Sequence, residues 1–255
     1  MKLGFYGFGH LARAITSGLL YKDLCAVTDI FVLAKSEKTK EGARALGFSV
    51  CEDAASLFAC SDLILLAVKP AVFRDLAPSL LKMDTEGKRV VSLMASVGLD
   101  ELKTVFGCPL LRVMPTVAIE TGKDIIGITD PEGFEDVKAL FEGLGQVHVL
   151  SEPALDRLTV VASCGPGFAA RVLDSYALAC EDLGFSKEQA VAITSAVFSF
   201  AAARTGEDPF RTLEEQVATR GGVTEAGNLQ IADRVKKAFD DAFCTALEKT
   251  APKRD

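Results

Sequence analysis

The chain has 255 residues, 49% of them hydrophobic and 25% charged, with a formal net charge of −7. That is a soluble globular composition, long enough for one large domain or two ordinary ones, and its acidity excludes a nucleic-acid surface. Only His10 and His148 are histidines, too few and too far apart for a metal site, so no metal is expected.

Residues 2–6 form a short apolar run that leads into Gly7-Phe8-Gly9-His10-Leu11-Ala12. Helical spacing follows at Leu11, Ala14, Ile15, Gly18 and Leu19. Strand, tight turn and helix in that order offer backbone N–H groups and the positive end of a helix dipole to an anion. Gly7 permits the turn, Gly9 lets a pyrophosphate approach the backbone, and Ala12 keeps the helix close to the strand. The pattern predicts a dinucleotide, with Gly7, Phe8, Gly9, His10 and Leu11 as cofactor-binding residues. The His10 imidazole is read as a bystander.

Further strands are expected at 30–34, 62–67, 89–92, 110–113, 125–128 and 147–150. Helical patterns lie near 39–46, 53–60, 72–81, 98–106 and 132–144. This alternation predicts an α/β fold with a Rossmann-like, doubly wound, mostly parallel sheet, the later strands being free to depart from it. After about Ser151 strand patterns stop, and helical spacing runs through 155–183, 187–204, 210–218 and 232–249. Gly165-Pro166-Gly167 is expected to break the first of these helices. Gly184 and Gly206-Glu207-Asp208-Pro209 read as helix stops. The domains are therefore read as 1–151, binding NAD(P), and 152–255, all-helical. Residues 190–203 are apolar on nearly every face, so the helix should be buried all round. A second subunit is the expected cover; the alternative is a place at the centre of its own bundle.

The second strand runs out into Lys35-Ser36, where an NAD site usually places an acid for the ribose 2′-hydroxyl. A cation and a hydroxyl suit a 2′-phosphate instead. NADPH is the expected cofactor, NADH the second choice, and Lys38 and Lys40 read as a solvated helix start. Val68, Lys69 and Pro70 end one strand, Ala95 lies in Met94-Ala95-Ser96 after the next, and Met114 lies in Arg112-Val113-Met114-Pro115-Thr116. That sheet edge faces the ligand crevice in open α/β sheets. Two glycine-rich turns interrupt the helical part, residues 163–167 and 219–227. The second offers N–H groups to a carboxylate and the Thr224 hydroxyl to a ligand; the alternative is a plain helix connection with Thr224 as N-cap.

Taken in order, these motifs resemble the pyrroline-5-carboxylate reductase family, which performs the last step of proline biosynthesis. The resemblance rests on the glycine loop (7–15), LAVKP (66–70), RVMP (112–115), the kink at 162–168 and the turn at 218–224. Departures from the family pattern are Thr116 for asparagine, Cys164 for serine, Gly167 and Phe168 for alanine and tyrosine, Arg220 for proline, and Val223 for threonine or alanine. The resemblance implies a homodimer, or an assembly of dimers, with interlocking helical domains. It implies a substrate site in which residues 221–224 face the partner's nicotinamide crevice. Gly221, Gly222, Val223, Thr224 and Cys164 become the substrate-binding residues. The N–H groups of Gly222, Val223 and Thr224 would meet a carboxylate, and the hydroxyl of Thr224, the catalytic residue, would bond the ring nitrogen.

The implied reaction is NADPH-dependent reduction of a cyclic imine carboxylate, foremost 1-pyrroline-5-carboxylate to L-proline. A protonated iminium is already a strong electrophile, so alignment matters more than a powerful acid. Two rivals stand beside it. One is a nucleotide-binding regulatory homologue that has lost catalysis, which the altered turns favour. The other is a β-hydroxyacid dehydrogenase, which wants a lysine base on the helix after Gly167, where the sequence has Arg171 and Asp174 and no lysine before Lys187. No membrane-length apolar run, no N-terminal signal pattern and seven scattered cysteines without a CxxC pair predict a cytoplasmic protein with reduced thiols and no membrane or nucleic-acid partner.

Overall fold

Two short apolar runs, β1 (Leu3–Tyr6) and β4 (Leu63–Leu66), are buried along their whole length, as strands covered on both faces must be. They lie side by side at the centre of an eight-stranded sheet of order β3-β2-β1-β4-β5-β6-β7-β8. The other strands are β2 (Ile30–Leu33), β3 (Ser49–Val50), β5 (Arg89–Ser92), β6 (Leu110–Met114), β7 (Asp124–Ile128) and β8 (Gly145–Val149). The computed structural model of the chain describes residues 1–250, in two compact units, Met1–Ser163 and Cys164–Glu248.

Pairing is parallel throughout except between β6 and β7. The short β6–β7 connection holds only a 3-10 turn, Val117–Thr121, too little for a parallel crossover. Helices α1 (His10–Tyr21), α2 (Glu37–Ala45), α3 (Ala54–Cys60), α4 (Pro70–Leu80), α5 (Leu99–Lys103) and α6 (Glu135–Glu142) link the strands; α7 (Glu152–Leu158) follows β8. One cluster gathers Phe5, Ile15, Leu63, Leu111 and Phe141; a second gathers Leu57, Phe58, Ile64, Phe73 and Phe106. β3 is not among the expected strands, because two residues carry no periodicity.

In the second unit, α8 (Gly165–Asp182), α9 (Lys187–Ala202), α10 (Pro209–Val217) and α11 (Val223–Thr250) contain no strand. The break expected at Gly165-Pro166-Gly167 falls just ahead of it, in a π-helical turn at Thr159–Ser163. Pro166 sits in the first turn of α8, where no N–H is required of it. Helix α11 starts at Val223, nine residues before the expected 232, and runs straight through Gly227 and Asn228. Helices α8 and α9 pack through an edge-to-face pair, Tyr176 and Phe198, with ring centroids 5.3 Å apart. Only Cys180, Ala190 and Thr194 are buried among the described side chains of this unit. Within one chain α9 is not buried all round: Val191 is 51% and Phe200 55% exposed.

The 3-10 turn packs on α1 at Gly18. A Cβ there would lie 2.7 Å from the Ile119 carbonyl oxygen and 3.0 Å from a Leu144 methyl. Gly18→Ala should therefore destabilise the protein by ~1–3 kcal/mol, helix propensity notwithstanding. A denaturant midpoint no lower than that of the parent chain would contradict this close approach.

Candidate active site

The strand order reverses between β1 and β4, and the loops at the carboxyl ends of the strands converge there. Backbone bonds hold them in line. Gly7 N–H donates to the Leu33 carbonyl (2.9 Å), Ala67 N–H to Tyr6 (2.9 Å) and Leu93 N–H to Leu66 (3.1 Å). Gly7 has φ +97°, and a Cβ on it would lie 2.8 Å from both the Ala67 oxygen and a Val68 methyl. A side chain is excluded there twice over, by conformation and by space.

Gly9 caps α1 with no side-chain bond, and no acid stands in the first turn. The N–H groups of His10, Leu11 and Ala12 therefore have no partner within the helix. Nothing lies within 4 Å of a Cβ built on Gly9, so the approach to these donors is open. Phe8 is buried against Phe5 and Phe48, leaving only its backbone for a ligand. His10 is exposed.

At the end of β2, Lys35 is exposed and makes no ion pair among the described residues. Ser36 caps α2: its Oγ accepts the Thr39 N–H at 3.2 Å and lies 2.7 Å from the Thr39 hydroxyl. Glu37, the acid nearest this strand end, is taken up by Arg44 at 2.8 Å and Lys40 at 3.7 Å. The Arg44 hydrogen bond, above all, holds its carboxyl below the usual range. A cation and a hydroxyl thus stand at the strand end with the local acid already neutralised.

On the far side of β1, Lys69 is the N-cap of α4 and Pro70 opens that helix. Val68 is half-buried and Lys69 exposed. Ala95 precedes Ser96, a left-handed residue (φ +62°) whose carbonyl accepts from Arg74 at 3.0 Å. Met114 is buried at the end of β6. Arg112, in the same strand, is 1% exposed and donates to Glu152 and Asp156 of α7, both at 2.8 Å. Glu152 also accepts the Leu99 N–H at 2.9 Å, tying the start of α5 to β6. Sequence reasoning missed Arg74, Glu152 and Asp156; the one available signal was a lone cation in the apolar run of β6.

In the helical unit, Gly221 is left-handed (φ +73°) and donates its N–H to Glu225 at 2.6 Å. Gly222 N–H donates to the Thr219 carbonyl at 2.8 Å. Of the three donors expected for a carboxylate, Gly222 is therefore engaged within its own turn. Val223 and Thr224 occupy the first turn of α11, and both are exposed. Thr224 lies inside the helix, so it is not an N-cap. Cys164 is exposed just before α8. Thr224 also lines a groove of about 400 Å³ with Phe210, Leu213, Val217, Asn228 and Ile231.

Sheet edge, glycine loop and appended helices define a dinucleotide-binding type of fold with a separate helical unit. Residues 2–96 match the model for "NADP oxidoreductase coenzyme F420-dependent" proteins, and residues 152–252 match that for pyrroline-5-carboxylate reductase dimerisation. The chain is 29% identical over 263 residues to the pyrroline-5-carboxylate reductase of Staphylococcus aureus (strain COL), covering 98% of this chain and 97% of the relative. It is 29% identical over 262 residues to the Staphylococcus epidermidis enzyme of that name, with the same coverage. The fold is shared with the Streptococcus pyogenes 1-pyrroline-5-carboxylate reductase, with a TM-score of 0.84 at 24% identity over 98% of both chains. The NADP-bound Plasmodium falciparum reductase gives 0.82 at 21%, over 98% of this chain and 97% of that one. The chain is thus similar to the pyrroline-5-carboxylate reductases along 98% of its length.

Glu152 serves two donors at once, and removing it strands both. Glu152→Ala should lower stability by about 1–3 kcal/mol in denaturant unfolding. An unchanged midpoint would mean that water replaces the carboxylate at Arg112 and Leu99.

Proposed function

We propose that this chain reduces a cyclic imine carboxylate with NADPH, 1-pyrroline-5-carboxylate to L-proline being the first candidate. The match to the staphylococcal reductases over 98% of the chain carries this reading. The residues at the sheet edge fit the cofactor: an open helix N-terminus for the pyrophosphate and, beside Ser36, a Lys35 with no ion pair among the described residues for the 2′-phosphate.

When bound, NADPH supplies the hydride. Phe8, Gly9, His10 and Leu11 would hold the pyrophosphate through main-chain donors, and Gly7, whose own N–H is taken by the Leu33 carbonyl, would shape the turn that presents them. Val68, Lys69, Pro70, Ala95 and Met114 border the nicotinamide end and keep water from it. Val223 and Thr224 offer their N–H groups to the substrate carboxylate, and the Thr224 Oγ accepts the iminium N–H. That bond would keep the proton on nitrogen, so that hydride addition to the carbon turns the iminium into a neutral ring amine with every ring bond kept and no ionisable catalyst needed. Cys164 and Gly221 complete the substrate pocket. The β-hydroxyacid dehydrogenase reading lacks its base, since α8 carries no lysine.

The same reading makes the protein a homodimer. In support, the described residues of the helical unit include three buried side chains, while Leu229 is 78% and Phe210 65% exposed. Surfaces of that kind mark association faces.

Purified protein should oxidise NADPH in the presence of 1-pyrroline-5-carboxylate, and Thr224→Ala should cost about tenfold in kcat/KM, the worth of one hydrogen bond. No turnover with any five- or six-membered cyclic imine carboxylate would overturn the reading. Lys35→Glu should weaken NADPH and spare NADH; an unchanged ratio of their KM values would remove Lys35 from the 2′-phosphate site.

A further inference from the structure

Asp124 opens β7 and is 2% exposed, yet no cation pairs with it among the described residues. Its partners are all neutral. Oδ2 accepts the Thr116 N–H at 2.7 Å. Oδ1 accepts the Thr116 hydroxyl at 2.7 Å and the Ile125 N–H at 2.9 Å. Burial, the largest influence, pushes its carboxyl above the ordinary range despite these three bonds. A buried carboxylate is costly, and a loop needing only stability is closed more cheaply by an apolar contact.

What these bonds hold explains the expense. The β6–β7 ladder pairs Val113 with Ile128 and Met114 with Gly127, so Thr116 lies beyond the last paired residue. The Asp124–Thr116 pair closes the connection that the ladder leaves open. Thr116 Oγ1 passes the constraint on by accepting the Ala118 N–H at 3.0 Å, at the start of the 3-10 turn. That turn rests on α1 at Gly18 through the Ile119 carbonyl. A continuous set of bonds and contacts therefore runs from Met114-Pro115 to the helix whose first turn faces the cofactor phosphates.

We propose that Asp124 is a positioning residue which, through Thr116, sets Met114 and Pro115 against the nicotinamide half of the cofactor. This rests on the NADPH reading above. The carboxylate touches no reacting atom; it fixes the distance between the wall at the nicotinamide end and the donors at the pyrophosphate end.

The test compares two ligands on the full-length protein by calorimetry: NADPH, and adenosine 2′,5′-bisphosphate, which lacks the nicotinamide. Asp124→Asn cannot accept both Thr116 donors, and Thr116→Val removes the hydroxyl at nearly constant shape. Each should weaken NADPH by about tenfold, or ~1.4 kcal/mol, and leave the bisphosphate within about twofold of the parent value. Thr116→Ser keeps both bonds and should restore NADPH affinity. The double variant should be no weaker than the poorer single one, because both cut the same connection. If Asp124→Asn does not fold, Thr116→Val and Thr116→Ser decide. Equal losses for both ligands, or an unmoved NADPH affinity in folded variants, would overturn the proposal. NADPH binding without turnover of any imine would sink the substrate assignment alone, because the affinity comparison needs no turnover.

Discussion

Three backbone N–H groups at the start of α1 have no partner within the helix, and the fold keeps them so. Gly9 offers no capping side chain and the first turn contains no acid. Burying the helix flank through Ala12, Ala14, Ile15 and Leu19 fixes where those donors point. An N-terminus left bare in this way, at the point where strand order reverses, selects an anionic ligand before any specific side chain is considered. Gly7 follows from the same demand, because only a residue without Cβ fits against Ala67 there.

The helical unit obeys a different constraint. Among the described residues, its four helices bury only three side chains within one chain. Their apolar surface is more readily understood as half of an interface. The family model matched over residues 152–252 is named for dimerisation, which accords with the exposed faces of α9 and α11. Gly221 and Gly222 spend their N–H donors within the turn, which leaves few main-chain donors there for the carboxylate of the proposed substrate. On the proposed reading, Val223 and Thr224 would carry the recognition.

Much of the sheet was legible in the chain because doubly covered strands leave continuous apolar runs. β1 and β4 are the clearest cases, and Gly7 and Gly9 carry a pattern whose reason is steric. β3 was invisible because two residues, Ser49 and Val50, have no period. The start of α11 was hidden by Gly221, Gly222 and Gly227, which read as one long turn although only the first two lie in it. Asp124 and Glu152 were missed for a deeper reason. A carboxylate near a strand or helix end looks solvated until the fold shows what buries it. Arg112 gave a partial warning, being charged in an apolar strand, but its partners lie 40 and 44 residues away in α7. The Gly222 N–H could not have been assigned at all, because its bond to Thr219 depends on the local turn geometry.

The central claim is that main-chain donors hold a reduced nicotinamide cofactor and a carboxylate-bearing imine so that one hydride passes to the C=N carbon. Isotope transfer reads this event directly. In a single turnover with NADPH stereospecifically deuterated at C4 and 1-pyrroline-5-carboxylate, mass spectrometry of the product should find deuterium on the ring carbon that carried the double bond, from one of the two C4 faces only. Proline formed without the label from either face, or cofactor bound with no reduced ring produced, would contradict it.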